Sequence, residues 1–187
     1  KEPLIYVEDG VNEYLQAKEG LKYPIVSEIP RIVDSMSGYT DAFGLQWNKW
    51  RETQLDSFTG TSITKNRLDR CLGDKLCNEL LSGDESLTVL ELGCGAGRFT
   101  EVLLEFNVKV VSSDLSSAVD SNKKNFPISS KHQIVQTDIL KSSFGPNYDV
   151  VLCLGVIQHT PNTEEAIEAL FSMVKPGGYL VIDHYTH

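Results

Sequence analysis

From Leu87 onward, short apolar runs alternate with segments whose apolar residues recur every three or four positions. Leu87 to Leu92 reads as a buried strand. Phe99, Val102, Leu103 and Phe106 then fall at i, i+3, i+4 and i+7, one face of a helix. Val108 to Ser113 is the next strand, closed by Asp114. Ser116 is placed to cap a helix running to about Asn125, and Phe126-Pro127 stops it. Gln133 to Gln136 makes a third strand ending at Asp138. Tyr148 to Leu154 makes a fourth, apolar nearly throughout, as in strands covered on both faces. Asn162 and Glu165 form a capping pair for a helix with Ile167, Leu170, Phe171 and Val174 on one side. Lys175-Pro176-Gly177-Gly178 ends that helix, and Tyr179 to Asp183 is a fifth strand. The alternation predicts βαβ units, hence an α/β fold with a mostly parallel sheet of about five strands flanked by helices.

Upstream, Leu68, Leu72, Leu76 and Leu80 share one side of a helix predicted over about Thr64 to Leu81. Tyr39, Phe43, Trp47 and Trp50 form a helical aromatic stripe, which either packs on the core or closes over a ligand and excludes water. Before it, Pro24 and Pro30 bracket a short extended run, Ile25 to Ile29. The texture divides the chain into an extension over residues 1–60, with short strands and the aromatic helix, and a core over residues 61–187.

The composition, 41% hydrophobic and 23% charged over 187 residues, fits one globular domain with a small appendage. The 17 Lys and Arg against 26 Asp and Glu leave a net charge of -9, with no basic block. Direct binding to long nucleic acid is therefore not expected, which leaves a small-molecule substrate or an RNA held by a basic partner. Cys71, Cys77, Cys94 and Cys153 show no CxxC pair, which points to a reduced, cytoplasmic protein without a metal site. Val150 to Ile157 is too short to span a bilayer, and no signal-peptide pattern opens the chain. The first residue is Lys, so the chain reads as starting inside a longer product.

Chemistry concentrates in Glu91-Leu92-Gly93-Cys94-Gly95-Ala96-Gly97-Arg98, between the first strand of the alternating region and a helix. Glycine is needed where the backbone turns sharply and a ligand must approach without a Cβ in the way. The loop is either a structural turn or such a cradle, and its placement favours the cradle. The dinucleotide fingerprint G-x-G-x-x-G would need glycine where Arg98 stands.

The pattern instead resembles the first motif of the class I S-adenosylmethionine-dependent methyltransferases, (D/E)-x-G-x-G-x-G. Asp114, Asp138, the Tyr148 to Thr160 segment and Lys175 to Gly178 follow in that family's order, over roughly residues 87 to 183. The resemblance implies a Rossmann-like fold, S-adenosylmethionine as cofactor and S-adenosylhomocysteine as product. It implies that Gly93, Cys94, Gly95 and Gly97 lie beneath the methionine portion, assisted by Glu91. Asp114, with Leu115 beside it, would receive the ribose hydroxyls. Thr137, Asp138 and Ile139 would meet the adenine, and a carbonyl at Cys153 or Leu154 the methionine ammonium. The residues themselves also allow Asp114 to be a helix cap and Asp138 a solvated turn. His159 is either a general base near the transferred methyl or a hydrogen-bonding anchor of its loop.

Tyr23-Pro24-Ile25, Ile29-Pro30-Arg31 and Phe43 to Trp47 resemble the leader of a bacterial subgroup in which a zinc-ribbon-like module precedes the catalytic domain. The paired cysteines are absent, so no zinc is expected. By that likeness Tyr39, Gln46 and Trp47 reach the cofactor's methionine end. His184 and His187 have metal-ligand spacing but no third ligand. The family's last two strands are missing from the sequence, which makes the chain read as a fragment of a longer protein, truncated at both ends. It also leaves strand 178–183 as an open edge through which a homodimer could form. Two rival functions remain: a cofactor-binding fragment without turnover, and a nicotinamide-dependent oxidoreductase.

Overall fold

The computed structural model describes residues 3–33, 38–82, 86–142 and 144–184. Nine strands form a single sheet in the order β1-β2-β3-β4-β7-β6-β5-β8-β9. Five belong to the alternating region: β5 (Thr88–Leu92), β6 (Lys109–Asp114), β7 (His132–Thr137), β8 (Tyr148–Cys153) and β9 (Val174–Ile182). These run parallel to one another. The expectation of about five strands is therefore too low. Four more, β1 (Ile5–Asp9), β2 (Asn12–Gln16), β3 (Lys22–Val26) and β4 (Ile29–Ile32), form an antiparallel meander. Its last member, β4, lies parallel to β7 and carries the meander onto the sheet.

The run from Ile25 to Ile29 is not one extended segment. Ser27 and Glu28 both have positive φ, 51° and 61°, so the chain reverses there in a tight two-residue hairpin. Such a turn usually uses Asn-Gly, which is why the sequence hides it. Lys123 holds it from outside, donating to the Ser27 carbonyl at 2.8 Å and pairing with Glu28.

Alternation along the central strands sorts side chains onto two faces. Val89, Val150 and Leu152 meet α3 (Ile63–Leu81) and α4 (Arg98–Leu103) on one side, through Leu68, Leu72, Leu76, Leu80, Phe99 and Val102. Leu90, Val151 and Cys153 meet Leu170 of α6 (Thr163–Phe171) and Met173 on the other. Asn162 caps α6, accepting from the N–H groups of Glu164 and Glu165. The remaining helices are α1 (Gly38–Lys49), the single turn α2 (Asp56–Thr59) and α5 (Ala118–Asn125).

Lys175 to Gly178 does not separate a helix from a strand. It lies inside β9 as a bulge, between the pairings Tyr148–Val174 and Val150–Tyr179. Val174 accordingly belongs to the strand. Among the described residues no helix is long and apolar enough to cross a membrane, and no cluster of His, Cys, Asp and Glu could hold a metal ion. His187 lies outside them.

Candidate functional site

The carboxyl ends of the parallel strands open into one cavity of about 770 Å³. In open α/β sheets this is where ligands bind. The β5–α4 loop contributes Gly93, Cys94, Gly95 and Ala96. Gly93 has φ +78°, and a Cβ there would lie 2.2 Å from a methyl of Val156, so no other residue fits without moving the loop after β8. Gly97 does not line the cavity. It sits beneath, with φ +101° and the Phe126 ring 2.7 Å from where its Cβ would be.

Asp114 ends β6 at the cavity wall. Its Oδ2 accepts from the Gly95 N–H at 2.9 Å, and its Oδ1 from the N–H and hydroxyl of Ser116 at 2.8 and 2.7 Å. These bonds occupy Oδ1 twice and Oδ2 once, which leaves a lone pair on Oδ2 for a ligand. Asp138 follows β7, with Oδ1 accepting from the Leu140 N–H at 2.9 Å. Leu115, Thr137, Ile139 and Leu154 line the same space. The hydroxyls of Ser113 and Thr137 are buried at this wall without a hydrogen-bond partner among the described residues, as is Oε1 of Gln158.

Glu91 lies elsewhere. It shares the face of Val89, and α4 covers it. Its Oε2 accepts from Thr100 Oγ1 at 2.5 Å and Ser112 Oγ at 3.1 Å, while Oε1 has no partner among the described residues. Burial, reinforced by the nearby Asp114 charge, pushes its carboxyl up to about 7. Strand alternation thus turns the motif's acid inward, so Glu91 supports the loop from below and is not a cavity residue.

Cys153 is also fully buried and outside the lining, whereas Cys94 lines it with its thiol raised well above the usual range by burial. From the aromatic helix, Trp47 lines the cavity, its indole nitrogen 3.7 Å from where a Gly95 Cβ would stand. Gln46 is exposed and does not line it. The side chain of Tyr39 lies outside the described residues. His159 lines the cavity on a single helical turn, Ile157–His159, its Nε2 3.5 Å from Gln158 Nε2. Ser113, Gln158 and the cavity residues Arg51 and Arg67 escape sequence reasoning. Ser113 carries a faint signal, since it immediately precedes Asp114 at a strand tip.

Residues 90–180 match the family described as methyltransferase domain. That match, with the relatives that follow, supports an S-adenosylmethionine-dependent methyltransferase. A ubiquinone biosynthesis O-methyltransferase of Alkalilimnicola ehrlichii is 27% identical over 141 residues, covering 72% of this chain and 53% of that protein. Its counterpart in Pseudomonas fluorescens is 30% identical over 94 residues, covering 48% and 40%. The chain thus spans about half the length of the curated relatives it matches. Among solved structures, the trans-methyltransferase CalH in complex with SAH is 26% identical, with a TM-score of 0.51 over 57% of this chain and 34% of that one. The fold is shared with a TehB-like methyltransferase from Corynebacterium glutamicum, at 21% identity and a TM-score of 0.55 over 75% and 72% of the two chains.

Proposed function

We propose that this chain binds S-adenosylmethionine in the strand-tip cavity and directs its methyl group to a small-molecule acceptor. One observation carries the reading: Asp114 and Asp138 line the same space as the glycine loop. That donor and acceptor set fits a nucleoside. When bound, the cofactor supplies an electrophilic methyl group on a sulfonium.

Asp114 accepts from one ribose hydroxyl through Oδ2 and from the second as the Ser116 hydroxyl turns away from Oδ1, and Asp138 accepts from the adenine amino group between the apolar sides of Ile139 and Leu140. The Leu154 carbonyl faces the methionine ammonium. Trp47, from the extension over residues 1–60, lies over Gly95 as a lid and keeps water from the methionine end. Holding the acceptor in line accounts for on the order of 7–11 kcal/mol of the barrier. His159 takes the acceptor's proton, adding roughly 10²–10⁴ in rate. The relatives named for O-methylation support a small hydroxylated acceptor. The cysteines, all free thiols, support a reducing compartment.

β9 pairs with β8 only, among the described strands, and its outer edge is the proposed seam of a two-fold dimer. A monomer by light scattering at high concentration would exclude that seam. The cofactor reading is tested by calorimetry with S-adenosylhomocysteine. Wild type binds, and Asp114→Ala weakens binding roughly 10- to 100-fold while the far-ultraviolet spectrum is unchanged. Equal affinity in the two proteins would overturn it.

A further inference from the structure

β8 and β9 pair in register as far as Cys153 and Ile182. Beyond that rung a side chain continues the pairing: Asp183 Oδ1 accepts from the Gly155 N–H. The other oxygen, Oδ2, accepts from Arg67 Nε at 3.2 Å and from Arg67 Nη2. The two oxygens therefore have separate tasks. Arg67, reaching over from α3, fixes the carboxylate through a charge-assisted contact, and the remaining oxygen holds a loop. Leu154, Gly155 and Val156 of that loop line the cavity, as Arg67 does, while Asp183 stands outside the lining.

The bonded N–H and the Leu154 carbonyl belong to one peptide unit. No peptide bond among the described residues is cis, so these two groups point in opposite directions. A carboxylate that takes the N–H on one side thus turns the carbonyl to the other, away from Asp183. It also polarises the unit, because hydrogen bonds in a chain strengthen one another. Gly155 makes the orientation accessible, since its φ of +72° lies in the left-handed region.

We propose that Asp183 is a positioning residue of the methyl-transfer site: from behind the peptide it aims the Leu154 carbonyl at the cofactor's ammonium, and Arg67 keeps the carboxylate in place. The inference rests on the cofactor reading above. Asp183 acts through the peptide and not by touching the ligand, so its effect is confined to ligands that carry an ammonium.

The test is calorimetry on the full chain with three ligands. S-adenosylhomocysteine has the ammonium and the carboxylate, its decarboxylated form keeps only the ammonium, and 5′-methylthioadenosine has neither. Asp183→Ala weakens the first two about tenfold or more and leaves the third within about twofold. A second measurement needs no variant: in isotope-labelled wild type, the first two ligands shift the carbonyl carbon resonance of Leu154 and 5′-methylthioadenosine does not. Unchanged affinities in Asp183→Ala overturn the proposal. So does an equal loss for all three ligands, because the site is then merely loosened. A loss for S-adenosylhomocysteine alone also overturns it, because the cofactor's carboxylate is then the group affected, and so does a Leu154 shift that is the same with all three. Wild type that binds none of the three overturns the cofactor reading and this proposal with it, a result distinct from wild-type binding with the wrong pattern in Asp183→Ala.

Discussion

The two halves of the sheet are built on different principles. In the parallel half, every residue from Val89 to Leu92 and from Val150 to Cys153 is buried, with helices on both faces. In the meander, Tyr14 is the one fully buried residue of β1 to β3, and Ile5, Tyr6 and Val11 are exposed. One half is held by burial. The other is held by its ladders and by its junction with β7. There Arg31 donates to Asp120 Oδ1 at 2.6 Å and to Gln136 Oε1 at 3.0 Å, and Gln136 donates in turn to the Leu115 carbonyl at 2.9 Å beside the cavity.

The contrast can be broken most severely at the centre of the parallel half. Leu90→Ala, at a fully buried position, is expected to cost about 2–5 kcal/mol in urea unfolding. A cost under about 1 kcal/mol would mean that this interior is not the main source of stability.

Glu91 is the polar exception in that interior. Its folded carboxyl titrates near 7 against an ordinary value of 4.5. Between those two pH values the folded chain keeps a proton that the unfolded chain has lost, so this group's contribution to stability falls as pH rises. The loss is on the order of 3 kcal/mol and is complete above the folded value. Glu91→Gln should therefore gain on wild type across that window and remain ahead at pH 8, as seen in denaturant midpoints. A constant difference between the two proteins from pH 4 to pH 8 would contradict the buried titration.

At the junction, Arg31→Ala removes a mostly buried fork and leaves Asp120 and Gln136 without it. We expect roughly 1–3 kcal/mol lower stability and a few-fold weaker S-adenosylhomocysteine binding, the latter through Gln136 and Leu115. Unchanged cofactor affinity would show that the meander does not brace the site. The smallest effect is reserved for Val11→Ala, at a position 93% exposed, which should alter the unfolding free energy in urea by less than about 0.5 kcal/mol.

The same contrast explains what could be read from the chain. β5 and β8 were legible because two-sided burial writes continuous apolar runs, and β8 reads within a residue of its observed end; β6 and β7 show only a short Val or Ile-Val centre before a strand-tip acid. In residues 1–60 short strands were legible without their bounds, because half-exposed strands mix polar and apolar residues, and Ser27-Glu28 lacks the Asn-Gly signature of its turn. The bulge at Lys175 to Gly178 looks like a stop, since Pro and Gly mark loops as readily as irregular edge strands. At the site, residues from strand tips were legible by their position after apolar runs: Asp114, Asp138, Gly93 and Gly95. Glu91 belongs to the same motif but faces inward, which one-dimensional spacing does not reveal. Arg51, Arg67 and Arg98 come from three separate parts of the chain and share a cavity only in space.

The methyls of Val156 occupy the room that a side chain at position 93 would need, so the turn after β5 and the turn after β8 are meshed. The first carries the proposed nucleoside cradle, and the second leads within three residues to His159. Neither turn can press inward without meeting its neighbour, so a ligand that fixes one narrows the positions open to the other.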